Sequence, residues 1–536
     1  MLTNVEERKF GFSLSLLTFV GGILRFAPAV LAAFPLNDGG MFLDMIGDLQ
    51  SNNFQLPLTT SYNASHIPFV YPPFGFYLTG VLSHLFSVPS LHLLRWLPPF
   101  VSVAIIPTFF WASTVLSGSK LKAIVATSLY ALSPGISDWL IMGGGITRGL
   151  GVLFLVFSLG FVHDLFVNGK ATTYAFAVMC CSLTILSHPE AGLQLVGLCL
   201  LLWIFFRRNL AGLWRAVALV ISVLSVTSIW WLNILLRHGF SPLWSALHTG
   251  IRETLVASFF HTFFSTQGVL PLWPTLGLVG IFVALKKRDF FPALALVTPF
   301  LLDPRNAPAV AIFPLLLLVA EGLVFLYEQH VRSLLLAPRK AIRQKLPLII
   351  FSLVLLYMTS VSVTAIGRLA NLALTLDDRE TMKWISQNTP PESSFLLITN
   401  TGQISPMTDA YQEWFPTLSN RKSVNTIQGL EWTLGTRFYG YSLELMALQS
   451  CPDITCLDHW LASQNAQVDY LLLLKRRDSP RLIASLRDDP RIEVVYESVT
   501  TAIFRVPRGK EDSSAQNYES KSDISLCRFF EIYSPK

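Results

Sequence analysis

Charge is what this 536-residue chain has least of: 14% of its residues are Asp, Glu, Lys or Arg, against 52% that are hydrophobic. A soluble globule carries about 25% charge. That class is excluded, and with it a disordered chain and a coiled coil. Cysteine is scarce as well. Six cysteines are too few for a disulfide scaffold, and none has zinc-ligand spacing. Cys180, Cys181 and Cys199 lie in apolar runs and read as packing residues. Cys451 and Cys456 flank a short Pro-Asp turn and could pair locally if that part is exported. Mean hydropathy is +0.50, which leaves a multi-span membrane protein as the default.

The charge that is present is unevenly spread. Residues 1–370 hold 23 Lys+Arg and 13 Asp+Glu, and residues 371–536 hold the other 17 and 21. The chain therefore divides into a charge-poor membrane part, 1–370, and a part of soluble character, 371–508, followed by a polar, flexible tail, 509–536. A helix needs about 20 apolar residues to cross a bilayer. Eleven spans are expected, near 11–33, 96–116, 121–137, 149–167, 171–187, 190–206, 216–236, 269–285, 290–302, 308–327 and 346–367. Residues 74–88 and 243–264 are apolar but broken by Pro, His or charge, and read as interfacial or re-entrant helices, with spanning as the rival. The first span has a signal-peptide alternative in the small residues of VLAAF, but its apolar run is long for that.

With the N-terminus inside, the inner loops collect 16 of the 23 basic residues, including all eight lysines of the membrane part. The other seven are arginines: Arg25, Arg95, Arg148, Arg237, Arg252, Arg305 and Arg368. This is a strong positive-inside pattern. It would collapse if 74–88 crossed, so it supports the interfacial reading there. An odd number of spans then places residues 371–536 outside, in an integral membrane protein with a cytoplasmic N-terminus.

The same threading gathers a different set on the outer face. The long first loop, 34–94, carries Asn37-Asp38-Gly39-Gly40, Asp44, Asp48, His66 and Tyr71-Pro72-Pro73. The second carries Asp138 and Gly143-Gly144-Gly145 before Arg148. The third is His188-Pro189-Glu190, the fourth holds His248, Arg252, Glu253 and His261, and the fifth holds Asp303 and Arg305. Charge near the apolar boundary is costly, about 2.5–3.5 kcal/mol at a helix centre. Pairing or a polar cavity is therefore expected at Arg148 and Glu190. Guanidinium groups suit a lipid phosphate, which they grip in a bidentate way. Amides at a helix N-terminus after the triple glycine could add to anion binding. Asp38, directly after a span, could act as a general base on an acceptor hydroxyl. The bland alternatives are an N-cap for residues 41–50 at Asp38, close helix packing at the glycines, and headgroup contacts for the charges.

These residues resemble the GT-C superfamily of polytopic glycosyltransferases. The likeness lies in Asp38 within NDGGMF, in YPPFGFYL (71–78) closing the first outer loop, in HLLRWLPP (92–99), in Asp138, and in an exported C-terminal region. YPPFGFYL and HLLRWLPP are similar to motifs of the protein-mannosyltransferase and aminoarabinose-transferase branch. GGGITRGLG (143–151) and SHPEAGL (187–193) resemble largely uncharacterised prokaryotic members. The resemblance implies a polyprenyl-phosphate sugar donor, a lipid, glycan or protein acceptor, membrane lipids around the spans and no nucleic-acid partner. It implies Asp38 as catalytic base. Asp138, His188 and Glu190 would support the acceptor or a metal, and Arg148, Arg305 and Tyr71 would hold the donor phosphate. Two departures stand out. Gly39 follows Asp38 where many members have further acids, and Tyr71 stands where some have a phosphate-binding lysine. No WWD-type motif of the oligosaccharyltransferases is present. A divalent cation, Mg or Mn, stays open.

In the C-terminal part, 377–388 reads as an amphipathic helix. FLLIT (395–399), YLLLL (470–474), IEVVYE (492–497) and AIFRV (502–506) read as strands, with a helix over 479–488. The expectation is an extracytoplasmic α/β domain beside an α-helical polytopic bundle. Residues 409–432 are rich in Trp, Tyr and charge. Asp44, His66, Glu413 and Trp414 are substrate-binding candidates, since a sugar needs a flat apolar face with polar edges; a lid packed on the membrane part is the rival. His459 reads as structural, and Asn63-Ala64-Ser65 is a glycosylation sequon. The function expected is sugar transfer at the outer face. A transporter or flippase is the alternative, with Arg25 as its one candidate charge inside a span; a scaffold presenting the C-terminal domain is another.

Overall fold

The computed structural model describes residues 2–133, 135–249, 256, 272–335, 340–399, 405–475 and 480–506. The tail 509–536, most of 250–264, and Arg252, Glu253 and His261 lie outside them. The helical part runs α1 (Leu2–Ala32), α2 (Gly40–Ser51), α3 (Phe74–Phe86), α4 (Ser90–Ser117), α5 (Lys120–Leu132), α6 (Asp138–Ile141), α7 (Gly145–Asn168), α8 (Ala171–Ser187), α9 (Pro189–Phe206), α10 (Leu210–His238) and α11 (Ser241–Leu247). Helices Leu272–Lys286, Phe291–Leu302, Ala307–Leu335 and Lys340–Ala370 complete it.

Among the described residues, seven helices are long and apolar enough to cross a membrane. They are Glu7–Ala32, α4, α7, α9, α10, Ala307–Gln329 and Phe351–Ala370. The protein is a multi-pass membrane protein. The other four predicted spans are helical but shorter, at 13 residues for α5, 17 for α8, 15 for Leu272–Lys286 and 12 for Phe291–Leu302. Among the described residues, seven of the eleven expected spans are thus long apolar helices and the other four are shorter ones. α3 begins behind Pro73 and has 13 residues, about 20 Å at 1.5 Å per residue. That is short of a bilayer core of about 30 Å. α10 leaves Ile221, Ile229 and Leu236 exposed. Such a stripe is costly in water and neutral against lipid tails.

The bundle core joins Ile105, Ile106 and Phe109 of α4, Leu129 and Tyr130 of α5, Leu155 and Val156 of α7, and Phe300, Leu316 and Val319 further on. Arg25 is 2% exposed within it. Its guanidinium donates to Ser102 Oγ at 3.0 Å, to Gly21 O at 3.0 Å, to Ala131 O at 2.9 Å and to Tyr130 O at 3.2 Å. It is a clasp joining α1, α4 and α5, so this candidate charge inside a span has a structural role.

The C-terminal part builds a five-stranded mixed sheet, ordered β2 (Lys422–Ser423), β1 (Ser394–Ile398), β3 (Tyr470–Leu474), β5 (Thr501–Arg505), β4 (Glu493–Glu497). β1 lies parallel to β2 and β3, and β5 antiparallel to β3 and β4. Four of these strands match the expected ones; the two-residue β2 is too short to leave a periodic signal. Helix Leu376–Asn388 starts at a capping box of Thr375 and Asp378. Cys451 and Cys456 are disulfide-bonded. His459 is exposed.

The apolar runs FLLI and YLLLL are buried on both faces, as a central strand requires. Leu396, Ile398, Leu471 and Leu473 face a core formed with Leu448, Leu457 and Leu486. Phe395, Leu397, Tyr470 and Leu472 face the other way, into a core shared with Ile46, Leu49, Tyr62, Val70 and Phe76 of the first loop, α2 and α3. The sheet region and the first loop thus share one apolar core. Asn63 lies in that seam, 7% exposed, clamping Ser423 by N–H donation to its carbonyl (2.9 Å) and by accepting its amide (2.7 Å). The sequon asparagine is structural and not open to glycosylation.

Candidate active site

Two glycine loops meet backbone to backbone where α1 ends and α7 begins. Gly143 N donates to Leu36 O at 3.0 Å. A Cβ at Gly143 would strike Asp38 O, and one at Gly144 would lie 2.6 Å from both Asp38 Oδ2 and Arg148 Nη2. Gly39 has φ +125°, which L side chains rarely adopt. This closeness lets the Asp38 carboxylate reach across the loop. Its Oδ1 accepts from Gly144 N at 2.8 Å and its Oδ2 from Arg148 Nη2 at 2.5 Å.

The N-cap alternative for Asp38 is thereby corrected. α2 is capped by Gly39 with no side-chain hydrogen bond, and Asp38 serves the N-terminus of α7. The anion expected at that N-terminus is a carboxylate of the same chain. Arg148 also lies 5.2 Å from the Trp139 ring centroid, and its Nε has no hydrogen-bond partner.

The other predicted residues divide into those the fold brings together and those it does not. Tyr71 is ringed by Phe42, Phe76 and Trp432. Its phenol lies against Thr147, within the fields of Glu190, Arg148 and Glu431; burial, then Glu190, pushes it well above the usual tyrosine range. His188 is the elbow between α8 and α9, buried, with Nε2 3.1 Å from Glu190 Oε2. Arg305 is exposed and acts on Glu431, and Asp303 acts on His188.

Asp138 does not join this group. It pairs with Arg368 at 2.9 Å, in a separate small cavity lined by Arg25, Ser133 and Ser362. Burial raises its carboxyl although Arg368 opposes this. His66 is exposed, with φ +51°. Trp414 is fully buried, donates Nε1–H to Asn37 O at 2.8 Å and packs edge-on against Phe34. Its faces are closed to a sugar, and the packed-lid alternative describes its helix, Ala410–Ser419.

That helix supplies what sequence reasoning placed least well. Glu413 Oε1 accepts from Gly39 N at 2.7 Å, beside Asp38. Burial, then the Asp38 carboxylate, pushes the Glu413 carboxyl up to about 8. Thr417 donates to Gly40 O at 3.0 Å and to Asp44 Oδ2 at 3.1 Å. Burial pushes Asp44 up to about 7. Glu431, absent from the expected set, is also pushed to about 7 by burial, and it feels Glu190 and Arg305. Its place beside the aromatics of 409–432 marked it only as a polar edge for a sugar; its link to Glu190 and Arg305 comes from the meeting of three loops.

Among the described residues no group of three or more His, Cys, Asp or Glu side chains could hold a metal ion. Each Asp38 oxygen accepts one hydrogen bond, from the Arg148 guanidinium or the Gly144 amide, which leaves a lone pair on each, and no step below is routed through a divalent cation.

The fold over most of the chain is shared with solved structures. It aligns with AglB, the archaeal oligosaccharyltransferase of Archaeoglobus fulgidus, solved with an inhibitory peptide and a dolichol-phosphate. The TM-score is 0.54 at 15% identity, over 88% of this chain and 70% of that one. It aligns with ArnT from Cupriavidus metallidurans bound to undecaprenyl phosphate, at TM-score 0.52 and 16% identity, over 91% and 97%. The mycobacterial arabinofuranosyltransferase AftD gives 0.56 at 16% identity, over 93% of this chain and 42% of that one. The chain has the fold of the GT-C membrane glycosyltransferases. No protein-family model matches the sequence, and no curated protein matches it by sequence. The GT-C likeness includes an oligosaccharyltransferase although the WWD motif is missing. At these identities it carries the fold and not the substrate.

Proposed function

We propose that the protein transfers a sugar from a polyprenyl-phosphate carrier to a lipid, glycan or protein acceptor at the outer face of the membrane. The positive-inside pattern supports a cytoplasmic N-terminus and an extracytoplasmic sheet region. The observation that carries the reading is Asp38, held by Arg148 and by the Gly144 amide at the head of α7 in a GT-C fold.

In this mechanism the acceptor oxygen attacks the anomeric carbon, the bond from that carbon to the phosphate oxygen breaks, and the acceptor proton passes to Asp38. Polyprenyl phosphate leaves. The unpartnered Nε–H of Arg148 offers a donor to the phosphate as its charge develops. Arg305 and Tyr71 stand on the side of Glu431 and Glu190, and would hold the far phosphate oxygens. His188 and Glu190 would orient the acceptor. Asp138, tied to Arg368, takes no part.

The test is transfer of radiolabelled sugar from polyprenyl-phosphate donors in membranes, wild type against Asp38→Asn. Loss of a positioned base lowers transfer by about 10²–10⁴-fold, with expression and donor binding unchanged. Equal transfer in both would remove Asp38 from the mechanism.

A further inference from the structure

The catalytic loop is gripped from both sides of Asp38 by one helix of the C-terminal sheet region. Trp414 donates to Asn37 O, Glu413 accepts from Gly39 N, and Thr417 donates to Gly40 O. Residues 413 and 417 stand one turn apart, so both face the loop. Tyr62 Oη donates to Glu413 O at 2.8 Å and locks the helix against the first loop. A Cβ at Gly40 would lie 2.5 Å from that same oxygen, so the contact admits only glycine.

We propose that Glu413 is a positioning residue for Asp38, which makes the C-terminal sheet region a working part of the active site. This rests on the reading of Asp38 as base given above. A glutamine would accept the Gly39 amide equally well, at no cost from a second acid beside Asp38. The choice of an acid where an amide would suffice points to use of its proton. The groups facing it are Asp38, Arg148 on α7, Tyr62 and, through Tyr62, Asp44 on α2. With Glu413 neutral, Arg148 balances Asp38 alone. With Glu413 ionised, a second negative charge stands where the donor phosphate must approach. Burial, then the Asp38 carboxylate, pushes its carboxyl up to about 8, so it keeps its proton further up the pH scale than an ordinary glutamate. Donor affinity therefore falls as pH rises through that value.

The experiment compares full-length wild type, Glu413→Gln and Glu413→Ala. Two readouts are used: donor KM and kcat against pH, and hydrogen–deuterium exchange of amides 37–40 in detergent. Glu413→Ala frees the Gly39 amide, speeds its exchange and slows transfer by about 10–100-fold, the effect of a small misplacement of the base. Glu413→Gln keeps the exchange protection and near wild-type transfer at neutral pH, and abolishes the alkaline rise in donor KM. Unchanged exchange at Gly39 in the alanine variant, or the same alkaline rise in the glutamine variant, overturns the proposal. If wild type transfers from no donor, the transferase reading has failed, and the exchange result alone decides the positioning role.

Discussion

At one end of the helical bundle lysines meet carboxylates, and at the other arginines meet backbone carbonyls as well as carboxylates. Lys120 pairs with Glu7 at 3.1 Å, and Lys287 with Glu321 at 2.5 Å, with Lys122 on the same glutamate. At the end that carries the sheet region, Arg25 donates to three carbonyls and a hydroxyl. Arg95 donates to Ala29 O and Val30 O, closing the last turn of α1, and Arg237 donates to Leu56 O. Arg215, near the lysine end, does the same to Leu165 O and Phe166 O at the end of α7. The difference follows the side chain and not the face. An ammonium is a point charge that suits a carboxylate. A planar fork of five N–H donors can satisfy several orphan carbonyls at a helix end. The arginine-only set of loops at that end therefore has two causes. Arg25, Arg95, Arg237 and Arg368 hold the scaffold together, and among the described arginines of that set Arg148 and Arg305 face the acids of the site.

Conservative substitution breaks that comparison open. Arg25→Lys loses most of four hydrogen bonds in a buried place and should destabilise by about 3 kcal/mol. It would be read as a lower melting temperature in detergent, and a melt matching wild type would show the clasp is dispensable. Arg148→Lys keeps a charge beside Asp38 but loses the fork. Its melt should stay near wild type while kcat/KM falls about 10–100-fold, about 1.4–2.7 kcal/mol. A folding defect of the Arg25 size would make Arg148 one more scaffold arginine.

The acids of the site give the next effect. Glu413 is pushed up to about 8, and Glu431 and Asp44 to about 7. A carboxyl with a raised folded pKa binds more protons folded than unfolded, so the stability tied to it falls as pH rises from the unfolded value through the folded one. Melting temperature should therefore drop between about pH 5 and 8, and Glu413→Gln should flatten part of the slope. A rise over that window would contradict the burial of these acids. Smallest of all, Lys120→Ala removes an exposed pair and should change stability by about 1 kcal/mol at most. A larger loss would show that the lysine end also clasps.

The parts of the fold with a periodic cause were legible. Apolar runs marked the long helices of the bundle, Pro73 marked the start of α3, and the unbroken FLLI and YLLLL marked strands. Asp38, Gly144 and Arg148 were singled out by type and spacing, yet their contact was not readable. It depends on two loops 106 residues apart approaching closely enough that a Cβ at Gly143 would strike Asp38 O. Asp138 has the same composition and the same loop as its neighbours, but α6 turns it toward Arg368. Trp414 has the composition of a sugar platform and is buried, because the sheet region shares a core with the first loop.

Sequence by itself determined that the chain lives in a membrane, how its charges divide and which acids and arginines lie in the loops between its apolar runs, since these follow from hydrophobic periodicity and composition. Only the tertiary structure decided which arginine clasps helices and which meets Asp38, and that Glu413 stands beside it. Those outcomes depend on distances of 2.5–2.8 Å between residues 110 to 377 positions apart, which no local pattern encodes.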